Sequence, residues 1–493
     1  MEAAVVPRAP AAEPIPHRRR RSLLCVVPAV WTVGLGLWGL SRQHSVWRDE
    51  AATWQVARRS SGAMAHLLEH VDAVHGLYYL LMHALFSCFG SGTTTLRLPS
   101  VLAMAVAAAC VTRLGQRTAG AWAGLAGGLA LGLLPAVQFH LQEGRPYALV
   151  TAGAGVATVL LVTALEGRAR RRHWAAYAAV VAVCGLLNWL SLLVLPAHLV
   201  TLAWTRATRR VLARWAVASA LAVAAVLPLI LFSLGQAEQV SWIPPVTWHM
   251  LIGPGVLVAI GVLGALADRP HTRRPSAAAV GLPLLAVPQL LLLCVSLVKP
   301  LFLDRYVLFS MLGLALLIGT ALGAAVRAVR PRLPRVSAVL VPVAVAVALA
   351  ALLPQSLAKR SPASRVDDVL AVAADVRRLK QVGDAVVFVP AARRDTALVS
   401  PAAFTGVRDI ALARGPVESG TLKGEEAPPA RIRSAMLTQR RILLVTDAAA
   451  VARPVPAHRD QVKSAVLKRY FTVVTDVQVR GRRVTVYERR PSR

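Results

Sequence analysis

Acidic residues are scarce in this chain. Asp and Glu number 24 against 56 Lys and Arg in 493 residues, a formal net charge of +32. In a soluble protein that excess would point to nucleic acid. No recognition fold and no basic face interleaved with aromatics is visible, which argues against nucleic acid as a partner. Cysteine is also sparse: Cys25, Cys88, Cys110, Cys184 and Cys294 all lie in apolar stretches, with no Cys-x-x-Cys. That pattern argues against a disulfide framework and a thiolate metal site, and it suits small residues of an apolar core. No internal repeat of the kind common in transporters appears.

Apolar runs are what the chain has in abundance. It is 56% hydrophobic, with a mean hydropathy of +0.55. Many runs reach the roughly 18–20 residues that a helix needs to cross about 30 Å of hydrocarbon. Eleven crossings are expected, at 22–41, 98–113, 121–140, 146–165, 174–189, 190–205, 214–234, 251–267, 277–298, 303–325 and 336–354. The first follows Arg18 to Arg21, exceeds the usual signal-peptide core and has no Ala-x-Ala before Arg42, so it reads as an uncleaved membrane helix. Residues 1–21 read as a cytoplasmic tail, disordered over its Ala- and Pro-rich part.

Charge sets the expected topology. Leu77–Gly90 is short for a crossing, and counting it as one would turn outward the loops Arg168–Arg172, Arg206–Arg214 and Arg327–Arg335. Basic short loops stay in the cytoplasm. Leu77–Gly90 is therefore expected to lie in the membrane interface, within one long outer loop, 42–97. Nine acidic residues fall between 22 and 359, and all but Glu166 and Asp268 then face outward: Asp49, Glu50, Glu69, Asp72, Glu143, Glu238 and Asp304.

Residues 359–493 differ from the rest. Val366, Val369, Leu370, Ala373, Val376 and Leu379 recur at helical spacing. Gly383-Asp384 marks a turn before a strand at Val386–Val389, Ile442–Val445 is a second strand, and Val477 to Val486 reads as a hairpin through Gly481. The expected fold is thus a multi-pass α-helical membrane protein, with a membrane module at 22–358 and a small extracytoplasmic α/β domain at 359–493. That domain has no Gly-rich phosphate loop and reads as a lid or docking module without a catalytic role.

Candidate chemistry gathers in the outer loops. Trp47-Arg48-Asp49-Glu50-Ala51 places adjacent carboxylates beside a membrane, which is unfavourable unless they are paired, hydrated or used. They also suit the first turn of a following helix. Asp49 is the candidate general base, and Glu50 the candidate for positioning an acceptor or cation. His75 and Tyr79 follow at headgroup depth, as substrate contacts or interfacial anchors. The next loop, Gln142-Glu143-Gly144-Arg145-Pro146-Tyr147, pins Arg145 at the surface, either as a phosphate or carboxylate ligand or as a snorkelling side chain beside Glu143. Trp242, beside Pro244-Pro245, can stack on a sugar ring or anchor the interface. Lys299, Arg305 and Tyr306 end a crossing, where the cations can hold a phosphate or simply snorkel.

In this order the residues resemble a known family. Asp49-Glu50, His75 with Tyr78-Tyr79, Arg97-Leu98-Pro99-Ser100, Arg145-Pro146-Tyr147 and Arg305-Tyr306 look like the GT-C superfamily of polyprenyl-phosphate-sugar-dependent glycosyltransferases. Within it, the chain is similar to bacterial relatives of the protein O-mannosyltransferases and aminoarabinose transferases, over roughly residues 22–325. The resemblance implies a membrane glycosyltransferase that moves a sugar, such as mannose, from a polyprenyl-phosphate donor to an extracytoplasmic glycan or protein acceptor, with inversion. Asp49 matches the catalytic aspartate and Arg305 a contact to the donor phosphate. Where many relatives carry an Asp in the second outer loop, this chain has Glu143 and Tyr147 around Arg145, so no metal or other cofactor is expected. A lipid-linked sugar transporter and a non-catalytic membrane scaffold are the competing readings.

Overall fold

The computed structural model describes residues 16–40, 44–236, 242–269, 275–455 and 457–491, with side chains from residue 24 onward. The tail before residue 16, the side chains of Arg18 to Arg21, Glu238 and Ser241 lie outside that description. Helices dominate up to residue 360. Among the described residues, seven are long and apolar enough to cross a membrane: Thr93–Thr118, Tyr147–Leu165, Arg209–Leu234, His249–Leu266, Ala277–Ser296, Asp304–Val329 and Pro334–Arg360. Leu24–Leu37, Ala121–Leu133 and Trp189–Trp204 are shorter apolar helices. Each of the eleven expected crossings contains a helix, but three are not continuous, among them 303–325, which opens with a 3-10 stretch, Asp304–Ser310, kinked at Val307 before the α-helix Met311–Val329. The segment 121–140 breaks at Leu134, where Pro135 starts a second short helix, Pro135–His140. The segment 190–205 opens with a 3-10 stretch, Trp189–Leu193, before the α-helix Val194–Trp204.

Small residues let the helices at the bundle's centre touch through their backbones. A Cβ on Gly319 would stand 2.3 Å from the Ala123 carbonyl oxygen and 2.6 Å from Gly127 Cα. Such close approach suits a medium where apolar burial alone drives little association. The periphery is different: His249–Leu266 and Pro334–Arg360 have few buried residues, and Leu263, Leu266, Val343 and Val347 are exposed. A bilayer is the solvent those faces fit.

The long segment between the first two crossings is helical. Arg48–Ala57, Ser61–His70 and Gly76–Phe89 follow one another, and Gly90 ends the last at a positive φ of 79°. The helix Thr93–Thr118 then carries the chain the length of the bundle. Its first turns hold Arg97, and its far end places Arg117 on Glu166 at 2.6 Å. These two arginines are about 30 Å apart by helical rise.

Beyond residue 360 the period changes. Strands β1 (Ala385–Val389), β2 (Arg408–Asp409), β5 (Arg441–Asp447), β6 (Phe471–Val479) and β7 (Arg482–Arg489) form one sheet in the order β2-β1-β5-β7-β6. Strands β3 (Leu412–Arg414) and β4 (Glu425–Glu426) form a separate antiparallel pair. Strand β1 runs parallel to both neighbours and is buried along its whole length, as a doubly covered strand must be. One face packs on the helix Val369–Leu379 through Val372 and Val376. The other packs on Pro429–Leu437 and His458–Tyr470 through Ile432, Met436, Val466 and Leu467. The helix starts at Val369 rather than Val366, because the Asp368 carboxylate accepts from the Leu370 and Ala371 amides.

Candidate active site

The helix Arg48–Ala57 sends its two first-turn carboxylates to different destinations. Glu50 is fully buried and receives Arg97 in a two-pronged pair, Nε to Oε1 at 2.9 Å and Nη2 to Oε2 at 2.8 Å. The Gly144 amide adds a third bond to Oε1 at 2.8 Å, and Arg97 also donates to the Ser45 carbonyl. Glu50 therefore ties together the starts of two helices and the loop at 141–146. Both of its oxygens are engaged at this junction.

Asp49 points the other way, into a partly exposed space ringed by cations and aromatics. Arg305 Nη1 donates to its Oδ2 at 2.8 Å. Arg145 donates to the Asp49 carbonyl at 3.4 Å and contacts His75 Nε2 at 2.7 Å. The Arg305 guanidinium sits 5.8 Å from the ring centres of Tyr147 and Tyr306, and 5.7 Å from that of Trp242. Such a collar holds a guanidinium in place while leaving its edge free for an anion. Nε of Arg145 and of Arg305, and Nδ1 of His75, are buried without a hydrogen-bond partner among the described residues. Two guanidinium edges thus retain donor capacity beside one carboxylate.

Electrostatics separates the acids. Burial pushes the Asp49 carboxyl above its ordinary range, and Arg145 and Arg305 offset only part of that push. Burial also acts on Glu143, but His140, Arg365 and Arg305 outweigh it and bring its carboxyl down to about 2. Burial, then the charges of Arg145 and Arg305, hold His75 well below the usual imidazole range, so it stays neutral. Asp49 is the carboxylate whose proton affinity is raised while its edge remains accessible.

The residues singled out in the sequence sort as follows. Asp49, His75, Arg145, Tyr147, Trp242, Arg305 and Tyr306 converge on this space. Tyr79 flanks it, with its ring 6.0 Å from that of His75 and its hydroxyl on Asp72 at 2.5 Å. Glu143 does not pair with Arg145: its carboxylate meets His140, and its carbonyl accepts from Ser100 at 2.6 Å. Lys299 is exposed beyond the end of its helix. Sequence reasoning passed over Arg97 and Asp72 as site residues. An arginine at the head of an otherwise apolar run was the signal for the first, since a buried guanidinium requires a carboxylate. Among the described residues, His66, Glu69 and His70 form the group with metal-ligand geometry, their ligand atoms within 4.8 Å of one another. It lies on the helix Ser61–His70.

Comparisons with known proteins bear on the fold. Residues 75–233 match the family model described as dolichyl-phosphate-mannose-protein mannosyltransferase. By structure, the chain is similar to ArnT from Cupriavidus metallidurans in the apo state, with a TM-score of 0.61 at 14% identity over 95% of this chain and 98% of that one. The same protein bound to undecaprenyl phosphate gives a TM-score of 0.57 at 13% identity, over 94% and 97% of the two chains. No curated protein matches by sequence. The chain shares the fold of ArnT from Cupriavidus metallidurans.

Proposed function

We propose that this chain transfers a sugar from a polyprenyl-phosphate donor to an acceptor hydroxyl, with Asp49 as general base and inversion at the anomeric carbon. The observation that carries the reading is the Asp49–Arg305 pair at 2.8 Å, with Arg145 beside it. A likeness to ArnT bound to undecaprenyl phosphate supports a lipid-phosphate donor.

The chemistry follows from charge. The donor phosphate occupies the free edges of Arg305 and Arg145, and so takes Arg305 away from Asp49. The released carboxylate accepts the proton of the acceptor hydroxyl. That oxygen attacks the anomeric carbon from the face opposite the phosphate. The carbon–oxygen bond to phosphate breaks, and its electron pair stays on the phosphate oxygen, stabilised by the two guanidinia. Polyprenyl phosphate leaves, still anchored by its chain. Trp242, Tyr147 and Tyr306 offer flat apolar faces to a sugar ring.

Positive charge for the leaving group is supplied by Arg145 and Arg305, so turnover is expected to survive chelation of divalent metal. Mannose is the sugar suggested by the name of the matched family, and the acceptor is an extracytoplasmic glycan or protein. The site end of the bundle faces outward in this proposal, with the basic loops inside. Sugar transfer from polyprenyl-phosphate donors in membranes tests it. Asp49→Asn should lower turnover by about 10²–10⁴-fold, the range for loss of a positioned base. Full activity at matched protein levels would falsify the mechanism.

A further inference from the structure

The helix that carries Asp49 cannot cap itself. Its N-cap is Trp47, which makes no side-chain bond to the first turn. The first amides of a helix need an outside acceptor, and Ser, Thr, Asp or Asn usually supplies it from the preceding residue. Here the acceptor comes from 319 residues further along the chain. The Arg48 amide donates to Asp367 Oδ1 at 3.0 Å, and the Arg48 side chain donates through Nε to Asp367 Oδ2 at 2.9 Å. One carboxylate thus holds both the backbone and the side chain of the residue before Asp49.

Asp367 is itself held firmly. It is fully buried, and Arg482, also fully buried, donates to its Oδ2 at 2.9 Å. Arg482 is fixed in turn by Asp395 at 2.8 and 2.7 Å. Asp447 takes Arg393 at 2.9 Å and reaches the Arg48 guanidinium at 3.5 Å. The chain of alternating charges therefore runs from Arg482, the first residue of β7, to the first turn of the Asp49 helix. Beside it, the Val369 amide donates to the Val46 carbonyl at 2.7 Å. A buried carboxylate with this many donors is fixed in position, and a helix capped by it inherits that position.

We propose that Asp367 is a positioning residue: it caps the Asp49 helix from the C-terminal module and sets the angle at which the Asp49 carboxylate meets its partners. The C-terminal module then belongs to the working site, whereas the sequence suggested a lid or docking element. The inference rests on the function proposed above only where turnover is concerned. The cap itself can be tested without any substrate.

The test uses the full-length protein in lipid nanodiscs, with Asp367→Ala, Asp367→Asn and, as a control elsewhere in the C-terminal module, Asp476→Asn on β6, whose partners are Arg483 and Thr485. Amide hydrogen exchange is followed over residues 46–57 and over β1. Asp367→Ala should speed exchange at residues 48–51 by at least tenfold and leave β1 protected, and Asp476→Asn should change neither. If Asp367→Ala does not fold, Asp367→Asn, which keeps one acceptor oxygen, should show the same acceleration in smaller measure. In the turnover arm, kcat should fall at least tenfold, while affinity for undecaprenyl phosphate alone changes less than threefold. Unchanged exchange at residues 48–51 in both Asp367 variants overturns the cap. Accelerated exchange with full kcat overturns the positioning role. Retained turnover in Asp49→Asn instead removes the proposed chemistry and leaves the exchange result standing.

Discussion

At the scale of single residues, two adjacent carboxylates do unlike work because their surroundings differ. Asp49 keeps an accessible edge and a raised proton affinity, while Glu50 is locked on Arg97. Since a base must be ionised to act, kcat/KM should rise with pH through the raised Asp49 pKa. The acid limb should therefore lie above the ordinary carboxylate value, and a pH–rate profile checks it. His75 is neutral throughout that range and should add no limb near its ordinary value. Removing one member of the buried pair strands the other: Glu50→Ala or Arg97→Ala should each cost about 3–5 kcal/mol. The double change Glu50→Gln with Arg97→Met should cost less than the sum, read by thermal unfolding in detergent. Asp49, Arg145 and Arg305 were visible in the sequence because charge in a membrane-proximal loop demands a reason. The Arg97–Glu50 pair was not, since nothing along the chain says which of two neighbouring acids turns inward.

At the scale of elements, turn chemistry decides how the C-terminal sheet meets the helix below it. The β6–β7 hairpin turns through Arg480 and Gly481, both at positive φ, the conformation that a two-residue turn of this hand requires. Gly481 has a second constraint: a Cβ there would stand 2.0 Å from the Val366 carbonyl oxygen, one residue before Asp367. Gly481→Ala should destabilise the protein by at least about 1–2 kcal/mol, from the positive φ and the clash together. It should also loosen Arg48, so a thermal melt and the exchange of residues 48–51 report two separate effects. The strands at 385–389 and 441–447 and the hairpin were legible from runs of β-branched residues and one glycine. Their order in the sheet was not, because pairing between distant strands leaves no local mark. The break at Leu134 was overlooked for a related reason: an apolar run hides a kink unless its proline is weighed.

For the whole molecule, the segment from 360 to 369 acts as a seam. Arg360 donates to the Leu35 and Trp38 carbonyls, Arg365 lies 3.4 Å over the Phe139 ring and donates to the Phe139 carbonyl, and Asp367 and Val369 hold Arg48 and Val46. Removing residues 361–493 should therefore abolish turnover even where the membrane module inserts at normal levels, which a membrane-fraction assay with matched expression checks. The basic loops predict the orientation: reporters fused within 168–172 should read as cytoplasmic, and reporters at the C-terminus as external. Hydropathy made the seven long apolar helices among the described residues legible, though not the breaks within the shorter ones. The seam escaped notice because its arginines and aspartates look like ordinary surface charge until the partner 300 residues away is known.

The ion pair between Asp49 and Arg305 has a kinetic corollary. A base that is masked until an anion claims its arginine imposes an order of addition: donor first, acceptor second. An unreactive acceptor mimic should then inhibit uncompetitively against the donor, and polyprenyl phosphate, the last product to leave, should compete with the donor. Under the proposed mechanism, the same masking guards the donor-free protein against idle proton transfer, and the latch opens only when a phosphate arrives.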